Sequence, residues 1–172
     1  MTPPFRLEEL GAAHERAGFS CGQDALDRYF QTQVTQDVRR RMTNCFVAVE
    51  TATGLVAGFY TLSAASVSAG DLPEDITKRL PRYPIIPAAR IGRLAVDRRF
   101  QGQRLGSALL GDAVERVIVS PTAAFAVIVD AKDEAAATFY ERHGFQRLVQ
   151  RNLTLFLQVA SAAKTLRSSI NA

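Results

Sequence analysis

Apolar positions define the first element of the chain. Leu26, Tyr29, Phe30, Val34 and Val38 recur every three to four residues, which predicts one apolar stripe on a helix of about five turns. Ser20 and Gln23 stand at capping-box spacing ahead of it, and Arg39, Arg40 and Arg41 close it, where cations meet the negative end of the helix dipole. On this stripe Tyr29 and Phe30 read as core residues. The period then shortens to that of strands. Cys45 to Glu50 and Leu55 to Ala65 are β-rich runs on either side of Thr51-Ala52-Thr53-Gly54, which predicts a hairpin, and Phe5 to Leu10 reads as a short edge strand.

Beyond Ala69-Gly70, the stretch DLPEDITKRL predicts a short helix, and Pro81, Pro84 and Pro87 forbid a regular helix in the approach to the next strand. Ile91, Leu94 and Val96 mark that strand. A charged loop with Gly102 and Gly106 follows, then an amphipathic helix running to Val119 and ended by Ser120-Pro121. Ala124 to Ala131 is a nearly unbroken apolar run, as a strand covered on both faces should be. Asp133 to His143 predicts a helix stopped by Gly144, Phe145 to Val149 and Leu153 to Val159 the closing strands, and SAAKTLRSSINA a helical or frayed tail.

A chain of 172 residues suits a single domain over 1–172, with 47% hydrophobic and 22% charged residues as in ordinary globular proteins. There is no apolar run of about eighteen residues, and the N-terminus carries charge where a leader would be apolar, so a cytoplasmic location is expected. Cys21 and Cys45 read as reduced thiols, and His14 and His143 do not supply zinc-ligand spacing, so no metal is expected. The net charge is +4, with much of the basic charge in the first two thirds of the chain. Those arginines read either as a solvated helix end plus seats for a polyanionic cofactor, or as contacts to a phosphate-rich macromolecule.

The glycine loop carries the chemistry. At the start of a helix several N–H groups lack an intrahelical partner, and glycine lets an anion approach the main chain, so a phosphate seat is expected. Gly106 is followed by Ser107-Ala108 rather than Lys-Ser/Thr, which excludes a P-loop, and GxGxxG is absent. Arg99-Phe100-Gln101-Gly102-Gln103-Arg104 resembles instead the acetyl-coenzyme A loop of the GNAT acetyltransferases, Gln/Arg-x-x-Gly-x-Gly/Ala after a strand. Arg104 departs from that pattern. An arginine takes positive φ only at a cost, so an ordinary helical conformation is expected there, with the side chain free to add charge near the phosphates. RLAVD before the loop and AATFYERHGF (Ala136 to Phe145) after it match the family's other blocks.

The resemblance implies an α/β (α+β) protein with the GNAT fold: a mixed, mostly antiparallel central sheet flanked by helices and splayed between its two central parallel strands. It implies acetyl-CoA as cofactor, held by Leu94, Ala95 and Val96 along the pantetheine arm and by Arg99, Gln101, Gly102, Gln103, Arg104, Leu105, Gly106 and Ser107 around the pyrophosphate. Asp133, Ala136 and Phe139 complete the implied cofactor site. Tyr140 is the implied catalytic acid. Its phenol, with an ordinary pKa near 10, remains protonated at neutral pH and can donate to a departing thiolate; the alternative is that it only packs against the cofactor. His143, beside the helix-stopping glycine, reads as a turn residue.

Three further blocks occur in order: Phe19 to Tyr29 with Cys21, Gly22, Leu26 and Asp27, then GFYTLSAASV, then LPRYPIIPAARIGRLAVD. Together they resemble the GNAT toxins of toxin-antitoxin pairs. That resemblance implies acetylation of the α-amino group of aminoacyl-tRNA, a block of translation, a ribbon-helix-helix antitoxin as partner, operator DNA reached only through that antitoxin, and a homodimer. Arg39, Arg40, Arg41, Arg79, Arg82, Arg90 and Arg93 are the expected tRNA contacts, and the segment after Ala69 is the candidate for substrate choice. Two alternatives stand beside this: a GNAT enzyme acting on a small-molecule amine or protein amino group, and a non-catalytic CoA-binding subunit of an antitoxin repressor complex.

Overall fold

The computed structural model describes residues 2–171. Its strands are β1 (Phe5–Glu9), β2 (Asn44–Glu50), β3 (Val56–Ser68), β4 (Ile85–Val96), β5 (Ala126–Asp130), β6 (Gln146–Arg147) and β7 (Thr154–Gln158), in the sheet order β1-β2-β3-β4-β5-β7-β6. The pairs β1–β2, β2–β3, β5–β7 and β6–β7 are antiparallel, and β4–β5 is parallel. Six helices accompany them: α1 (Asp24–Thr32), α2 (Val34–Arg39), α3 (Glu74–Thr77), α4 (Leu105–Val119), α5 (Glu134–Arg142) and α6 (Val159–Asn171). This is the mixed, mostly antiparallel α/β architecture that the resemblance implies. The chain packs as two units, residues 1–63 with 92–113, and residues 64–91 with 114–172.

The first unit is built on aromatic packing. The Phe30 ring stacks on Phe59 at 4.2 Å between centroids, and Phe19 meets both edge-on at 4.9 and 5.5 Å. Aromatic side chains each remove about 150–250 Å² from water, and these join Val34, Val47, Val49 and Val56 in one cluster. Tyr29 and Phe30 are core residues, as the stripe predicts. The helix that carries them is interrupted. Gln33, at φ −120° and ψ −31°, separates α1 from α2, so the expected single five-turn helix is two. The Thr32 hydroxyl donates back to the Arg28 carbonyl, a bond that bends helices, and the break turns Val34 wholly into the core.

The expected capping box is also absent. The Ser20 N–H goes to Asp97 at 3.0 Å and the Cys21 N–H to Asp27 at 2.8 Å, while α1 starts after Gln23 without a side-chain cap. Tertiary pairing has taken the groups that local sequence assigned to a helix start.

Helices α2 and α5 end in the same way. Met42 N–H donates to Asp37 O at 2.9 Å and Arg41 N–H to Val38 O at 3.0 Å; Phe145 N–H donates to Tyr140 O at 3.2 Å and Gly144 N–H to Glu141 O at 3.1 Å. Both are Schellman closures, which put one residue in the left-handed region. Gly144 fills that place at φ 90°, as predicted, whereas after α2 it is filled by Arg41 at φ 60°.

In the second unit, β5 is buried on both faces, as its apolar run predicts, and Ala126 and Ile128 pack with Val67, Leu72, Ile86, Ala88, Leu148 and Phe156. β6 is shorter than Phe145 to Val149 because Val149 N–H leaves the ladder for the Asp71 carbonyl, at 2.9 Å. The tail forms α6. The parallel register of β4 with β5 runs from Ala88↔Ala126 to Ile91↔Val129, and residues 92–96 of β4 continue beyond it.

One buried carboxylate fixes the end of β4. Asp97 is 1% exposed and accepts from Ser20 N–H at 3.0 Å, Arg99 N–H at 2.9 Å, and Arg99 Nε and Nη2 at 2.9 and 3.0 Å. Its own N–H donates to Ala57 O at 2.8 Å. Burial works against the charged form, but the Arg99 side chain and the main-chain donors of Arg99 and Ser20 overcome it and hold the carboxyl below its ordinary value.

Two outcomes follow for stability. Asp97→Ala should lose about 2 kcal/mol in urea unfolding at neutral pH, because a carboxylate with charged and neutral donors is removed and Arg99 is itself half exposed. Since the folded value is depressed, this contribution is complete above the unfolded value of about 3.9 and disappears as pH falls through the folded one, so the wild-type and variant curves should converge in acid. Arg41→Gly should raise stability by roughly 0.5–1 kcal/mol in the same assay, since glycine adopts positive φ without a Cβ clash.

Candidate active site

The loop that leaves Asp97 begins with a single turn of 3-10 helix, Arg98–Phe100, and enters α4 at Leu105. Gly102 stands at φ 82° and Arg104 at φ 61°. The ordinary helical conformation expected for Arg104 is therefore not the one it takes. Its carbonyl accepts the Ala108 N–H at 3.2 Å, so it is the residue at which the chain turns into α4, and it does so from the left-handed region. The cost for a side chain there is about 1 kcal/mol. Left-handed residues interleaved with ordinary ones are how a main chain forms anion-binding nests.

The loop is open where an anion would enter. Among the described residues, the main-chain N–H groups of Gln101, Gly102, Gln103, Arg104, Leu105 and Gly106 donate to no protein acceptor. A side chain at Gly102 would meet nothing within 4 Å, so the backbone there faces space. Ser107 follows in the first turn of α4 and makes interactions of its own. Six donors, two of them beside left-handed residues, at the positive end of a fifteen-residue helix suit a diphosphate.

Two loop side chains are engaged in holding it. The Gln101 amide donates to Cys21 O and Val96 O, both at 3.0 Å, tying the loop to the start of α1 and the end of β4. Arg99 is the bidentate partner of Asp97, with Phe100 beneath its guanidinium at 5.7 Å. Leu94, Ala95 and Val96 form the last turns of pleat in β4, past its register with β5. Main-chain groups on that edge have no β5 partner, so an extended ligand could add to it as a strand does.

In the second unit, α5 carries the other expected residues. Asp133 caps it, accepting the Ala136 N–H at 2.8 Å, and so fixes both residues in place. The Phe139 ring packs on Tyr140 at 5.2 Å, and Phe145 meets Tyr140 at 5.6 Å. Tyr140 is 9% exposed, and among the described residues its hydroxyl has no protein partner, although no fully buried polar atom is left unpaired; the ring is enclosed and the oxygen reaches the surface. Burial first, then the nearby charge of Asp130, pushes this phenol up to about 12. His143 ends α5, its Nδ1 donating to Phe139 O at 2.8 Å, consistent with a turn role.

The basic residues separate into two sets. Arg90 is ion-paired with Asp130. Arg93 lies flat over the Tyr29 ring at 3.5 Å, its N–H held by the buried Thr61 hydroxyl, while Tyr29 donates to Asp37 at 2.9 Å. Sequence reading missed this relay and the role of Asp97; an Asp directly after a strand and two residues before an arginine was the available signal for the latter. Arg39, Arg40, Arg41, Arg79 and Arg82 are exposed and, among the described residues, in no ion pair. Burial raises the thiols of Cys21, to about 11, and Cys45, to about 12, which leaves neither as a nucleophile at neutral pH.

Comparison with known proteins identifies the family. The family model for the acetyltransferase (GNAT) domain matches residues 42–147. A tRNA-acetylating toxin of Mycobacterium tuberculosis is 33% identical over 145 residues, covering 83% of each chain. The solved structure of AtaT complexed with acetyl-methionyl-tRNAfMet is similar with TM-score 0.88 and 28% identity, covering 94% of this chain and 99% of that one. A Tyr-to-Phe variant of AtaT bound to the C-terminus of the antitoxin AtaR and acetyl-CoA is similar with TM-score 0.78 and 27% identity, covering 92% and 96%. With its open amide loop, its unpaired β4 edge and its enclosed phenol all lying in a sequence that the domain model recognises, this chain belongs to the GNAT family of acetyltransferases.

Proposed function

We propose that this chain transfers the acetyl group of acetyl-CoA to the α-amino group of aminoacyl-tRNA and so withdraws charged tRNA from translation. The run of unpaired amides from Gln101 to Gly106 carries the cofactor half of this reading. The tRNA half is supported by relatives that act on tRNA and by the exposed, unpaired arginines. When bound, acetyl-CoA supplies an activated thioester carbonyl.

The protein's part is positioning and hydrogen-bond donation. Main-chain amides of Gln101 to Gly106 would hold the diphosphate, with Ser107 next to them in the first turn of α4, and Arg104 would add positive charge beside them. Leu94, Ala95 and Val96 would offer main-chain groups to the pantetheine arm, and an N–H on this edge would stabilise negative charge on a thioester oxygen. Asp133 and Ala136 set the start of α5, and Phe139 supports Tyr140. Arg99 acts through Asp97 by fixing the loop. The Tyr140 hydroxyl donates to the departing sulfur. With a thiol near 8.5 and this phenol pushed up to about 12, the proton would remain on the Tyr140 oxygen and the hydroxyl would act as a hydrogen-bond donor to the developing thiolate; as the N–C bond forms and the C–S bond breaks, the proton lost by the amine would pass to that thiolate or to water. No dedicated base is required, since a free α-amine has a pKa of about 7.7–8.0 and esterification to tRNA lowers it. The same reading assigns a ribbon-helix-helix antitoxin as partner, operator DNA reached only through it, a homodimer and a cytoplasmic location.

Incubation with labelled acetyl-CoA and charged bulk tRNA should label the aminoacyl ester; label on free amines or protein alone would reject the assignment. Tyr140→Phe should bind acetyl-CoA normally and lose about 10²–10⁴-fold in turnover, and undiminished turnover would remove the acid role. Replacing Arg39, Arg40 and Arg41 with Glu should weaken tRNA use, with the logarithmic salt slope falling by roughly one for each phosphate that is no longer neutralised, while the acetyl-CoA Kd is unchanged.

A further inference from the structure

The segment between β3 and β4 encloses a cleft of about 330 Å³, a size that ordinary ligand sites share. Its walls include Ala69, Leu80, Pro81, Arg82, Tyr83 and Pro84. The cleft is preset by the main chain. Ala69 N–H donates to Pro84 O at 3.0 Å, closing the segment, and Tyr83 N–H to Pro81 O at 2.8 Å, fixing the tyrosine between two prolines. Leu72 and Ile86, 3% and 4% exposed, root the segment in the unit's core. Little conformational freedom remains to be lost on binding.

Two features of the lining are unusual together. Tyr83 is 64% exposed, so a large aromatic face is held in water by a rigid backbone. Arg82 is the one charged residue of the lining, and the neighbouring Lys78 and Arg79 are exposed and in no ion pair among the described residues. Glu74 and Asp75 lie in the first turn of α3 and do not line the cleft. The fitting occupant has a flat apolar face and carries negative charge beside it. An unpaired nucleotide has both, its base stacking on the ring and its phosphate meeting the arginine.

We propose that this cleft is a stacking seat for an unpaired base of the single-stranded 3′ end of the tRNA substrate, with Tyr83 as the platform and Arg82 as the phosphate contact. The proposal rests on the aminoacyl-tRNA reading above and assigns part of its substrate recognition to the second unit. It explains why the segment is built from prolines around an exposed aromatic, when a mere connection would be met by polar residues.

The test uses the full chain and a short RNA hairpin with an unpaired 3′ end, in which 2-aminopurine replaces each unpaired base in turn. Wild type and Tyr83→Phe should quench the fluorescence at one position, whereas Tyr83→Ala should leave it unquenched at protein concentrations that saturate the RNA. With charged tRNA, Tyr83→Ala should raise KM about tenfold, leaving kcat and the acetyl-CoA Kd unchanged; Arg82→Ala should raise KM and flatten its salt dependence. Absence of position-specific quenching by wild type, or an unaltered KM in Tyr83→Ala, would overturn the proposal while the enzyme still acetylates charged tRNA. Failure of wild type to acetylate charged tRNA would instead reject the function assigned above, and the hairpin titration would still decide the cleft.

Discussion

The carboxylate of Asp97 is the point on which the first unit depends. Four donors converge on it, from the segment ahead of α1 and from the turn that follows β4. A buried charge survives only when its lone pairs are satisfied, so the position of Ser20, the course of the turn and the fork of Arg99 are set together. Gln101 adds a second tie through Cys21 and Val96. Side chains thereby hold the loop, and its amides are left without protein partners. A loop held by its own backbone bonds would have consumed the donors that an anion needs.

Strain is placed where this loop and the first basic cluster require it. Among the described residues, the two non-glycine residues with positive φ are Arg41 and Arg104, one closing α2 and one opening α4. Each costs about 1 kcal/mol relative to an ordinary conformation, a noticeable part of the roughly 5–15 kcal/mol typical of a folded domain. Glycine at either site would relieve the strain and remove a guanidinium. Where an outlier persists, the inference runs from the strain to a use for the side chain, and in this chain both side chains fall in regions assigned to polyanion contact.

The chemistry assigned to the site asks little of titrating groups. The phenol of Tyr140 is kept protonated by its apolar surroundings and the charge of Asp130, and the two thiols are kept protonated by burial. His143 is committed to the end of α5. What remains is preorganised dipoles and one hydroxyl, suited to a reaction whose nucleophile is already partly neutral near physiological pH and whose leaving group needs only a hydrogen bond.

Much of this was legible in the chain itself. Period-two and apolar runs placed β2, β3 and β5, the Gly144 stop placed the end of α5, and the glycine loop before an apolar helix marked an anion seat, because these depend on local sterics and on which residues must leave water. The break at Gln33, the lost capping box, the shortened β6 and the left-handed Arg104 were not legible. In each case burial in the core, a side-chain bond to the helix's own backbone, a partner distant in sequence, or the turn into the next element outweighed a local preference of about 1 kcal/mol. Likewise, arginine content is written in the sequence, but which arginines are free is not: Asp130 takes Arg90, and Tyr29 takes Arg93. The sequence by itself determined the order of elements and the family, while only the tertiary structure decided which donors and charges are left over for a ligand, since that depends on every pairing made elsewhere in the fold.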